Sequence, residues 1–259
     1  MGWCYYYGEG VEIDKKKSNY WYKKSADQGY DAAQFELADS YENGEGCKQN
    51  QKLAVKYYKK AAEQGHMEAI CNLGICYANG DGVEQDYTKS LHYMKIAAEL
   101  GDEMAVHNIG VSYKNGEGVE KDGAKAYEYF KKAADMGYIN SLYELGECYS
   151  EGIGVEKNEQ KALEYYRLAA EKDNSDALCA LAYCYCKGLG VEKDLAMTFK
   201  YYQMAAEQGD PDGQYNLGIC YENGESVPVD MEKAKYWIKL AAEQGDEDAI
   251  EEMENTFKD

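Results

Sequence analysis

Two prolines and three histidines in 259 residues leave few obligatory helix breaks and little material for a histidine-based catalytic centre. Long apolar runs are missing as well. No stretch approaches the roughly eighteen consecutive apolar residues of a membrane span, and Met1 to Gly10 lacks a basic region followed by an apolar one. The sequence therefore predicts neither a transmembrane helix nor a secretory signal. Positive charge is scarce: 28 Lys and Arg face 48 Asp and Glu, for a net charge of −20. So acidic a surface repels phosphate backbones and anionic head groups, which argues against nucleic acid and membranes as partners. What is present is a hydrophobic fraction of 45%, enough for a folded chain.

With proline rare, punctuation falls to the 26 glycines, and these are periodic. A Gly-x-Gly pair at Gly8/Gly10 recurs at Gly44/Gly46, Gly80/Gly82, Gly116/Gly118, Gly152/Gly154 and Gly188/Gly190. Gly224 with Ser226 makes the seventh. The interval is 36 residues throughout, without an insertion. A tyrosine stands three residues before each first glycine, from Tyr5 to Tyr221, and Phe257 continues that column. Six residues after each first glycine stands Asp14, Asn50, Asp86, Asp122, Asn158, Asp194 or Asp230, an expected helix N-cap whose side chain accepts from a free backbone N–H. The helix it opens, such as 51–64, carries Ala54, Tyr57, Tyr58, Ala61 and Ala62 on one face. It closes on Gly65, Gly101, Gly137, Gly209 or Gly245. A second, shorter helix, such as 67–79, runs on to the next Gly-x-Gly with Ala69, Leu73 and Tyr77 on one stripe. We call this shorter helix A and the capped one B. Gly74 recurs in helix A as Gly110, Gly146 and Gly218. An intrahelical glycine costs about 1 kcal/mol, so close approach of a neighbouring helix is expected there.

These columns, in strings such as Ala69-Ile-Cys-Asn-Leu-Gly-Ile-Cys-Tyr-Ala-Asn-Gly80 and Lys161-Ala-Leu-Glu-Tyr-Tyr-Arg-Leu-Ala-Ala-Glu171, resemble the Sel-1-like repeat, a relative of the tetratricopeptide repeat, over the whole chain. The resemblance implies an all-α fold, a right-handed superhelical solenoid of 36-residue helix pairs with A helices on the concave face. It implies an adaptor for other proteins, as in family members that act in endoplasmic-reticulum protein degradation, chitin synthase activation, kinase regulation and bacterial host interaction. The expected organisation is one solenoid over 1–259, starting halfway through an A helix and ending on a capping helix over 247–258. The uncapped start, with Trp3, Tyr6 and Tyr7, suggests end-to-end self-association.

Enzyme chemistry has little to stand on. The Gly-x-Gly pairs lack GK[ST] and GxGxxG and lie between helices, so they read as turns, not nucleotide loops. The acidic ladder beside them has no dense oxygen-ligand loop. His66, His92 and His107 fall in different columns without HExxH or a Ser/His/Asp set, and no catalytic residue, cofactor or metal is expected. Five of nine cysteines, Cys4, Cys76, Cys148, Cys184 and Cys220, share a column with Ser40 and Ser112, which reads as packing by free thiols. Cysteine-rich relatives carry a helix-B cysteine where this chain has alanine, so their disulfide frame and penicillin binding are not inherited. Reduced thiols and no signal point to the cytoplasm.

If A helices line a groove, three columns decide what binds. The residue before the central Leu includes Asn72, Asn108 and Asn216, a position that in tetratricopeptide relatives contacts a ligand's main chain, as an amide can. One residue earlier stand His107, Tyr143 and Tyr215, and two after the Leu stand Ile75, Tyr183 and Ile219. Basic residues for a carboxylate clamp are missing, since Glu68, Met104, Asn140, Asp176 and Asp212 hold that column. The expectation is a non-enzymatic scaffold that takes a basic or neutral peptide or protein in an acidic groove. The alternatives are a spacer within a larger protein and, from the cysteine-rich relatives, a β-lactam-binding hydrolase.

Overall fold

In a computed structural model that describes residues 1–257, the chain is all-helical, and no strand occurs among the described residues. The A helices are α1 (Gly2–Tyr7), α3 (Asp31–Asn43), α5 (Met67–Asn79), α7 (Glu103–Asn115), α9 (Asn140–Glu151), α11 (Ser175–Lys187), α13 (Pro211–Asn223) and α15 (Glu247–Asn255). Alternating with them are the B helices α2 (Lys15–Ala26), α4 (Gln51–Ala62), α6 (Tyr87–Glu99), α8 (Gly123–Met136), α10 (Glu159–Ala170), α12 (Leu195–Glu207) and α14 (Met231–Glu243). The interior A helices are as long as the B helices, not shorter, because the Gly-x-Gly turn stops them no earlier than the Ala-Ala segment stops the B helices. The helix expected over 247–258 ends at Asn255, and 258 lies outside the described residues. Among the described residues no helix is long and apolar enough to cross a membrane. Two compact units result, Met1–Met136 and the residues from Gly137 onward.

All seven capping residues do what their column predicts. Asp14, Asn50, Asp86, Asp122, Asn158, Asp194 and Asp230 each accept from the backbone N–H three residues on. Each capping residue also donates its own N–H to the carbonyl of the column tyrosine at the end of the preceding A helix, as Asn50 does to Tyr41 at 2.8 Å. The turn is thereby closed at both ends. Five of those tyrosines stack on the B-helix tyrosine seven residues after the cap: Tyr41 on Tyr57, Tyr77 on Tyr93, Tyr113 on Tyr129, Tyr149 on Tyr165 and Tyr185 on Tyr201, with centroids 5.6–6.0 Å apart. The predicted apolar faces are the buried ones. In the first unit Leu37, Tyr58, Ala61 and Leu73 share a core. In the second, Leu145, Leu181, Leu217 and Ile238 are 1% exposed or less.

Intrahelical glycine has the expected cause. A Cβ on Gly110 would lie 2.8 Å from the Phe130 ring of α8, so glycine there admits a large B-helix side chain against the A-helix backbone. Met94 and Phe130, which face Gly74 and Gly110 in the first unit, are buried. The second glycine of the turn has a different role. At Gly82 φ is 69°, and a Cβ would overlap the backbone carbonyl of Gln51, the first residue of α4. Gly46, Gly118 and Gly190 likewise dock their turns onto the start of the preceding B helix.

Ser226 occupies the same column with φ 67° and a side chain. A left-handed backbone costs a non-glycine residue about 1–2 kcal/mol, only partly offset by glycine's larger entropy loss. Ser226→Gly should therefore stabilise the second unit by about 1 kcal/mol, read as a higher thermal midpoint in scanning calorimetry. An unchanged or lower midpoint would show that the serine is not strained.

Candidate functional site

Within the second unit, α9, α11 and α13 present their A-helix columns to one recess of about 560 Å³, which α15 closes at one end. Five tyrosines line it: Tyr143, Tyr183 and Tyr215 from the A helices, with Tyr166 and Tyr202 from the B helices behind. Six carboxylates join them: Glu147, Glu151, Asp176, Asp212, Asp246 and Asp248. Asn216 and Cys179 also face the space, and neither lysine nor arginine lines it.

The floor is fixed by packing and hydrogen bonds. Tyr166 donates to Glu147 Oε1 at 2.5 Å, and its ring lies 5.9 Å from that of Tyr143. Cys179 Sγ is 3.3 Å from Oδ1 of Asp210, which also accepts from Gly213 N–H as the α13 N-cap. Above this floor Tyr183 is 51% exposed, with Lys187 Nζ 5.8 Å from its ring centroid. The carboxylates crowd one another. Burial, then the charges of Asp210 and Glu144, raise the pKa of Asp176. Burial, then Asp210, Asp246 and Asp176, raise that of Asp212. Burial, then Asp248, Glu252 and Asp246, raise that of Tyr215. Tyrosine faces carry negative potential as well, so faces and carboxylates together favour a cation that enters with its own apolar stem.

Of the groove residues read from the sequence, Tyr143, Tyr183, Tyr215 and Asn216 meet in this recess. Ile219 instead packs on the Ile238 and Ala241 cluster beside Tyr215. The other four lie in the first unit and are engaged internally. Asn72 donates to the Tyr58 hydroxyl at 3.2 Å, and Tyr58 in turn donates to Glu42 at 2.6 Å. The Asn108 amide lies against Met94 Sδ at 3.9 Å, and Ile75 packs on the core that holds Leu91 and Met94. His107 is 8% exposed with its ring 5.3 Å from Phe130, and burial, with a smaller push from Lys114, holds its pKa down near 4. It is a core side chain and not a groove side chain, because its ring packs beside Phe130, as Cys71 in the same column is buried in α5.

The residues that sequence reading missed had partial signals. Asp248 continues the column of Asp176 and Asp212, and Asp246 repeats the capping position of Asp210. Tyr166 and Tyr202 gave no signal, since their column holds core residues such as Phe130 and Ile238 elsewhere.

The model of the Sel1 repeat family matches residues 1–30, 31–66, 68–102, 104–138, 139–174, 175–210 and 211–246. Comparison with curated proteins returned no match. Among solved structures, a protective antigen of uropathogenic Escherichia coli strains displaying an SLR fold is 35% identical over 96% of this chain, with a TM-score of 0.69. This chain spans 53% of that protein's length. A Sel1 repeat protein from Oxalobacter formigenes is 27% identical, with 89% of this chain and 97% of that one covered and a TM-score of 0.76. The immunity protein Pa5087 from Pseudomonas aeruginosa, 23% identical over 82% of this chain and 81% of its own, shares the fold with a TM-score of 0.61.

Proposed function

This chain belongs to the Sel1 repeat family, whose repeats generally mediate protein–protein interaction, and on that premise we propose that it is a non-enzymatic scaffold that holds a cationic segment of a partner protein in the recess of its second unit. One observation carries the reading: five tyrosines and six carboxylates line a single recess with no basic side chain among them. A lysine or arginine entering there gains charge pairing at one end of its side chain and ring contact along the stem. The net charge of −20 adds long-range attraction for basic partners, which salt weakens. Nine free thiols support a reducing compartment such as the cytoplasm as its setting.

The test is capture of partners from cell extract on the intact chain and on Tyr183→Ala/Tyr215→Ala, at low and at high salt. A partner held by the native chain, lost from the variant and released by salt is the expected result. A partner retained equally by both proteins would move the site elsewhere, and one indifferent to salt would remove the charge component.

A further inference from the structure

The B helices carry a second kind of recess and the opposite charge. Between α4 and α6 a slot of about 190 Å³ opens over Ile70 and Leu73 of α5, with Lys59 and Ala62 contributed by α4 and Tyr93 and Ile96 by α6. Its floor is apolar and closed, since Ile70 and Leu73 are 4% and 1% exposed. The same columns three periods of 36 residues later bound a slot of about 250 Å³ between α10 and α12, with Leu178 and Leu181 as its floor. Between α6 and α8 the column of Ile96 holds Lys132 instead.

In both slots the basic residue is drawn to a tyrosine and not to the acid one turn on. Lys59 Nζ lies 5.4 Å from the Tyr77 ring centroid, and Arg167 donates to the Tyr185 hydroxyl at 2.8 Å. At the same column of α14, Lys239 pairs with Glu243 at 3.6 Å. A tyrosine does not neutralise the cation it meets, so an arriving carboxylate finds a positive charge held beside an apolar floor.

Charge in the first unit is sorted by helix type. α4, α6 and α8 bear nine lysines against three carboxylates, whereas α3, α5 and α7 bear six carboxylates against one lysine. Lys89 and Lys125 close ion pairs on the caps Asp86 and Asp122, while Lys56, Lys60, Lys95 and Lys131 stand exposed. The second slot lacks this setting, because α10 and α12 bear three bases and three carboxylates.

We propose that the slot between α4 and α6 holds an aliphatic side chain from an acidic segment of a partner protein, with the carboxylates of that segment on Lys59 and on the exposed lysines of α4 and α6. Glu63, exposed at the rim where α4 ends, disfavours a carboxylate over the floor itself, so the anchor is apolar and the acids flank it. Nucleic acid would meet the lysines but has no side chain for the floor, and the net charge of −20 repels its phosphates. This surface shares no residue with the recess of the second unit and takes a ligand of the opposite charge.

Fluorescence anisotropy on the intact chain tests the proposal with short dye-labelled peptides that carry leucine or alanine between flanks of glutamate or of glutamine. The acidic peptide with leucine should bind at least tenfold more tightly than either the acidic peptide with alanine or the neutral one with leucine. Lys56→Glu/Lys60→Glu/Lys95→Glu should weaken it at least tenfold, and Arg167→Glu in the second unit should leave it unchanged. Ile96→Lys adds positive charge but fills the slot, so the preference for leucine over alanine should vanish while acidic flanks still help. The comparison of leucine with alanine on the native chain decides the matter even if that variant fails to fold. No binding of any acidic peptide at about 1 mM, equal binding of the leucine and alanine peptides, retention by the charge-reversed variant or loss in Arg167→Glu would overturn the proposal. So would a single-stranded RNA oligomer that binds more tightly than the acidic leucine peptide.

Discussion

Gly82→Ala is expected to destabilise the first unit by about 3 kcal/mol or more, the range of mutations that force a backbone to move. Two costs combine. Alanine at φ 69° takes on about 1–2 kcal/mol of left-handed strain. Its methyl also overlaps the carbonyl of Gln51 at the start of α4, which is backbone and can yield only by shifting the helix. Gly65→Ala separates the two, since Gly65 also has positive φ, 88°, but open space where its Cβ would be. The strain alone should appear there, and the difference in urea midpoint between the two variants measures the docking of turn on helix. Equal losses would show that the contact contributes nothing.

The second large effect combines stability with binding. Asp176→Asn/Asp212→Asn/Asp248→Asn keeps the size of three side chains in one column of α11, α13 and α15 and removes their charge. We expect affinity for a cationic partner segment to fall at least tenfold, about 1.4 kcal/mol, while the fold becomes more stable. The pH dependence has the same origin. Asp176 and Asp212 have pKa values raised chiefly by burial, so between those values and the ordinary carboxylate value the folded chain holds protons that the unfolded chain has released. Their contribution to stability therefore grows as pH falls from neutral through the raised values and levels off at the ordinary value near about 4. Affinity for a cation declines over the same interval. Thermal melts and binding titrations across mildly acidic pH should move in opposite directions. If affinity holds constant while Asp176 and Asp212 take up protons, they are not what the ligand meets.

The fold was legible because it repeats. Seven capping residues, seven turn glycines and the alanine and leucine columns each point to one geometry, and agreement among seven copies outweighs weak local signals. The site was half legible for the opposite reason, since it is built from the columns that vary. Tyr143, Tyr183, Tyr215 and Asn216, which line the candidate recess, stand out in the sequence because an A-helix column facing a groove is free to differ between repeats. Tyr166 and Tyr202 do not, because a core position and a groove floor look alike when the side chain is a tyrosine. His107 misled in the other direction. A polar residue in a variable column resembled a ligand contact, while its ring packs beside Phe130 across the gap that Gly110 leaves.

The stacked tyrosine pairs have an optical consequence. They recur from the second repeat to the sixth, whereas the three tryptophans, Trp3, Trp21 and Trp237, lie only in α1, α2 and α14. Indole emission therefore reports on the first and seventh matched repeats alone, whereas near-ultraviolet tyrosine dichroism draws on all seven. The two signals should change together if the chain unfolds as one cooperative whole and part company if its repeats melt separately. The chain thus carries intrinsic probes of its own cooperativity, with no label added.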